Sequence, residues 1–107
     1  MQLDKNKILM DADVRFGKSR YSQDSISLSE RCVDISQEWL DTYQDNYSVI
    51  YDKDTKLLRE ELKSYIRPRI KEYKKSTFVP TFIWWWIAQI VIKWVVDKII
   101  EYLKENQ

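Results

Sequence analysis

Residues 82–92, "FIWWWIAQIVI", place three adjacent tryptophans in an uncharged run, within a 107-residue chain that is 33% charged. A helix turns about 100° per residue, so with Gln89 as zero Trp84 lies at about 220°, Trp85 at about 320° and Trp86 at about 60°. The three rings sweep about 200° of the helix, and Ile83, Ile87 and Ile90 fill the sector from about 100° to 160°. A segment apolar on every side is predicted to be buried all round, in a protein core, an oligomer interface or lipid. From Lys93 onward the pattern changes, with Lys93, Asp97 and Glu101 on one side and Val95, Ile99 and Leu103 on the other. Trp86 points along the strip that later carries Lys93 and Asp97.

The chain has one glycine and two prolines, too few for the turns of a sheet or of a loop-built active site, so long helices with few connections are expected. Residues 1–26 are polar and aperiodic, with a short extended piece at 14–16, and are predicted to form an arm that orders on a partner. Ser27 and Glu30 make a capping box ahead of Leu28, Cys32, Ile35, Trp39, Tyr43, Tyr47 and Ile50. Asp54 is the next N-cap, before Leu58, Leu62, Tyr65, Ile66, Arg69, Ile70 and Tyr73. Pro68 removes the hydrogen bond to the Ser64 carbonyl and predicts a kink, or a break near Arg67. Ser76 and Thr77 are caps ahead of Pro80 and the last helix. The expected architecture is all-α: about three helices at 28–48, 55–75 and 80–104 behind an extended N-terminal arm. It forms one small domain divided into the arm 1–26, two amphipathic helices in 27–77 and the tryptophan helix in 78–107.

Chemistry has little to work with. Histidine is absent, which removes the commonest general base, metal ligand and partner of a nucleophile, so the chain is expected not to be an enzyme and to take no small-molecule substrate or cofactor. Cys32 is alone and reads as a small buried hydrophobe. "GKS" at 17–19 resembles the end of a phosphate-binding loop, but Ala12 stands where that loop needs glycine. Asp11 and Asp13 lack further carboxylates at calcium-loop spacing, so no metal is expected. Glu60 and Glu61 read as a solvated pair, and Asn46, Tyr47 and Ser48 as a turn or helix end.

Charge is unevenly spread. Residues 1–54 carry 7 basic and 11 acidic side chains, and residues 55–77 carry 8 and 3. Lys63, Arg67, Arg69, Lys71, Lys74 and Lys75 run straight into the tryptophan segment, as a solvated face or a contact for headgroups or phosphates. Residues 78–96 would reach about 28 Å as a helix, against a hydrocarbon core of about 30 Å. Thr81, Gln89, Lys93 and the interfacial preference of tryptophan argue against a span.

The expected function is therefore that of a non-enzymatic assembly protein, a subunit of a virion-like or other large complex, with its tryptophan helix buried in an oligomer or host. Trp84, Trp85, Trp86, Ile90 and Trp94 are the expected anchors, and Arg67, Arg69, Lys71, Lys74 and Lys75 the contacts to an anionic surface. Protein partners or self-association are expected first. A holin-like or interfacial membrane protein is the alternative, and nucleic-acid binding through 63–75 the third. The N-terminus lacks the apolar core of a secretory signal, so a cytoplasmic or within-particle location is expected, with the membrane as alternative.

Overall fold

The computed structural model describes residues 1–43, 46–73 and 79–105, with Tyr73 by its backbone alone. The described residues form six helices and no strand: α1 Lys5–Ile8, α2 Ala12–Phe16, α3 Ser22–Asp41, α4 Tyr47–Asp52, α5 Thr55–Tyr73 and α6 Thr81–Glu105. The all-α class is as the sequence predicts; the number of helices is not. Three long helices, α3, α5 and α6, pack on one another, α2 packs on α3, and α1 on α6.

The tryptophan helix is covered mainly by its own chain. Its buried residues, from Trp84 through Val91 and Val95 to Leu103, occupy about 220° of the helix at about 100° per residue. Two neighbouring helices do not cover so wide an arc, and the N-terminal residues supply the rest. Leu3, Ile8, Ala12 and Phe16 are all buried, so residues 1–26 are not the extended polar arm expected. Residues 14–16 lie in α2 rather than in an extended piece. Gln37 fixes the start of the chain, accepting from the Leu3 amide at 2.7 Å and donating to the Met1 carbonyl at 2.8 Å. Lys5 pairs with Asp34 at 2.6 Å and Lys98 with Asp11 at 3.6 Å.

Helix α3 begins at Ser22, so Ser27 and Glu30 lie inside it rather than capping it. Its packed face includes Ser25, Ser29 and Ser36, small residues that let neighbouring helices approach. Ser29 and Ser36 satisfy their hydroxyls on the Ile26 and Cys32 carbonyls at 2.6 and 2.7 Å, which allows burial without an unmet polar group. The helix stops at Asp41, where the Thr42 and Tyr43 amides bond to Trp39 and Leu40 three residues back, a tightened last turn. The single helix expected over 28–48 is thus replaced by α3 and the separate α4. Lys104 of α6 donates to the Tyr51 and Lys53 carbonyls at 3.1 and 3.4 Å, placing a cation at the C-terminal end of α4 where the helix dipole favours it.

Helix α5 continues through Pro68, so the expected break near Arg67 does not occur. Leu58, Leu62, Ile66 and Ile70, four apart, are all buried, and this line of packing runs on either side of the proline. Pro68 and Ser64 are both exposed, so the interrupted turn lies on the solvent side of the helix. The neighbouring Tyr65 carbonyl accepts from the Arg69 guanidinium at 2.8 Å. Ser76 and Thr77, read as caps, lie outside the described residues.

Candidate interaction surface

Along α6, Phe82, Trp86 and Lys93 fall at about 20°, 60° and 40° on the helix, forming one stripe that the other described residues leave uncovered. Phe82 is 75% exposed and Trp86 63% exposed, in a helix whose other faces are largely packed. Trp86 thus lies where the sequence places it, on the polar strip, but residues 82–92 are not enclosed on all sides by this chain.

The five expected anchors divide. Trp84 is buried and belongs to this chain's own core. Trp85 is half-buried and stacks on Trp84, with ring centroids 6.1 Å apart and planes 22° apart. Trp94, also half-buried, meets Phe16 edge to face at 5.2 Å and lies under Lys98 at 5.6 Å, holding α2 against α6. Only Trp86 is broadly exposed, with Ile90 half-covered beside it.

Trp86 and Ile90 form one wall of a groove of about 200 Å³ between the start of α6 and the α2–α3 junction. Phe16, Ile87 and Val91 make its floor, and Arg15, Ser19, Tyr21 and Ser25 stand opposite. The Arg15 guanidinium lies 5.4 Å from the Phe16 ring and that of Arg20 5.8 Å from the Tyr21 ring. Sequence reading missed this site because it assigned residues 1–26 to an extended arm that orders on a partner. The signal was present in Ile8, Ala12 and Phe16, four residues apart.

The basic segment is divided as well. Lys63 pairs with Glu60 at 3.6 Å. Arg69 folds back over the Tyr65 ring, 3.6 Å from its centroid. Lys71 sits 5.9 Å from the Trp85 ring, so the end of α5 and the start of α6 meet at one end of the molecule. Arg67 is exposed, and Lys74 and Lys75 lie outside the described residues.

A polar cluster joins the other end. Tyr43 donates to Glu61, and Lys53 donates to Glu61 at 2.8 Å and to the Tyr43 hydroxyl at 3.1 Å. Glu61 is therefore engaged rather than half of a solvated pair. Burial pushes the Glu61 carboxyl up, but hydrogen bonds from Lys53 and Tyr43 outweigh it and hold the group below its ordinary value. Burial and the Glu61 hydrogen bond raise the Tyr43 phenol, and the hydrogen bond to Glu61 raises the Lys53 ammonium. These groups satisfy one another and tie the end of α3 to the start of α5. Cys32 is fully buried, and desolvation, against a smaller opposing effect of Arg31, pushes its thiol up to about 12.

Among the described residues there is no group of three or more metal-ligating side chains, and Asp11 is engaged by Lys98. No described helix is long and apolar enough to cross a membrane, because Lys93, Asp97 and Lys98 interrupt α6. No protein-family model, curated protein or solved structure matches this chain.

Proposed function

We propose that this chain is a non-enzymatic structural protein of a multi-subunit assembly, joined to a neighbouring protein through the exposed aromatic stripe of α6. The observation that carries the reading is the pair Phe82 and Trp86, open to solvent on a helix whose opposite face is packed. A tryptophan carries about 150–250 Å² of surface, so covering these rings contributes on the order of several kcal/mol to association. Exposed aromatic residues bordered by arginine are also the composition of interface centres. The self-satisfied Tyr43–Lys53–Glu61 cluster and the absence of histidine support a role without catalysis. The dispersal of Lys63 and Arg69 onto their own helix supports protein contact over tracking of a phosphate backbone.

One observation favours a second reading. Lys71 beside Trp85 combines a cation and an indole at the start of α6, as at a bilayer interface, so the same end of the molecule suits anionic headgroups. Light-scattering mass measurement and flotation with phosphatidylserine-containing vesicles, on the wild type and Trp86→Lys, separate the two. The assembly reading expects a discrete oligomer that Trp86→Lys dissociates and that does not float. Flotation lost in Trp86→Lys, from a protein that stays monomeric without vesicles, would overturn it in favour of the interfacial reading.

A further inference from the structure

The two ends of the molecule carry complementary features. Tyr21, Ser25 and Trp86 share a groove, so α3 and α6 both begin at this end. Tyr43 bonds to Glu61 and Lys104 to the Tyr51 carbonyl, so α3 and α6 finish together at the other, beside α4 and the start of α5. The longest dimension is 43 Å.

The groove end is basic. Arg15, Lys18 and Arg20 are exposed, and none forms an ion pair among the described residues; Asp13 and Asp24, the acids nearest in sequence, form none with them either. Within the groove, Ser25 is 3% exposed and adds a small polar side chain to the lining.

The far end carries an apolar knob flanked by carboxylates. Leu57 is 65% exposed, one residue off the buried line of α5. Asp54 and Glu60 stand three residues to either side, on the same helical face, and both are exposed, as are Asp52 and Lys56; Glu60 also meets Lys63 at 3.6 Å. Lys56 projects about 100° away from Leu57.

We infer that copies of this chain join head to tail, with Leu57 of one copy seated in the Trp86 groove of the next and Asp54 and Glu60 facing Arg15 and Arg20. This rests on the assembly reading and supplies its partner. The groove, at about 200 Å³, suits one or two side chains better than a free ligand, whose sites typically span about 300–1,000 Å³. A symmetric dimer made by pressing two Trp86 faces together would bring Arg15, Lys18, Arg20 and Lys93 against their own copies, and like charges oppose it. Opposite ends meeting is a heterologous contact, which repeats into a ring or an open filament.

Complementation between Trp86→Lys and Leu57→Lys tests this. Both positions are exposed, so circular dichroism matching the wild type establishes that each variant folds. Each variant alone is expected to be monomeric where the wild type forms higher-mass species. An equimolar mixture is expected to give a complex of twice the monomer mass, because the first variant keeps its Leu57 end acceptable to the intact groove of the second. A mixture that stays monomeric overturns the proposal. If Leu57→Lys assembles as the wild type does while Trp86→Lys does not, the head-to-tail contact is wrong and the aromatic face stands. If both variants assemble as the wild type does, the aromatic face falls with it.

Discussion

Phe16 and Trp94 meet edge to face, their ring centroids 5.2 Å apart and their planes at 78°. The contact makes a residue near the start of the chain part of the core of its last helix. Edge-to-face pairs add about 0.5–1.5 kcal/mol beyond area burial, and truncating a buried phenylalanine costs about 3–5 kcal/mol. Phe16→Ala is therefore expected to lower stability to urea by about 3 kcal/mol or more, a large share of what a domain of this size holds. If Phe16→Ala unfolds at the wild-type midpoint, the N-terminal helices are not part of the cooperative unit.

The Tyr43–Lys53–Glu61 cluster gives stability a defined dependence on pH. Glu61 is held below its ordinary value in the folded state, so its contribution is complete above the unfolded carboxyl value and is lost as pH falls through the folded one. Lys53 and Tyr43 are both raised, so theirs is complete below the unfolded values and is lost as pH rises through the folded ones. Stability is expected to fall at both extremes. Comparing urea midpoints across pH, Glu61→Gln should flatten part of the acid limb; an unchanged acid limb would show that Glu61 is not linked to folding.

Pro68 lies within α5 at an exposed position, with Ile66 and Ile70 buried on either side. Restoring the amide to the Ser64 carbonyl should need no rearrangement of that packed line. Pro68→Ala is expected to raise stability by about 1–3 kcal/mol, since an interior proline costs about 3 kcal/mol. A loss of stability in chemical denaturation would mean that the packing of α5 depends on the proline.

The outcome at Pro68 shows where sequence reading reached and where it stopped. The helical class, the line Leu58–Leu62–Ile66–Ile70 and the placing of Trp86 on the polar strip follow from spacing alone, because helical geometry converts spacing into direction. Proline was read as a breaker because its local cost is real; tertiary burial on both sides offsets it. Ile8, Ala12 and Phe16 had the right spacing, but Asp11, Asp13 and Arg15 between them concealed it, and short helices of this kind hold only through packing. The groove joins residues about 70 positions apart in sequence, and no periodicity within one element reports such a contact. Leu57 lies beside Leu58 in sequence, about 100° off the packed line, and spacing alone does not report what an apolar residue off that line would meet.

Cys32 offers a probe of how α3 opens. It is fully buried and its thiol is pushed up to about 12, so at pH 8 the reactive thiolate is on the order of one in ten thousand even before access is considered. Aromatic disulfide reagents are expected to leave the native protein unlabelled and to modify it stoichiometrically in urea. Because α3 packs against both α5 and α6, exposing Cys32 requires the three long helices to part, so labelling should follow global unfolding rather than fraying. Phe16→Ala is then expected to accelerate labelling in proportion to the stability it removes. Labelling of the native wild type within the mixing time would instead place Cys32 in a region that opens on its own.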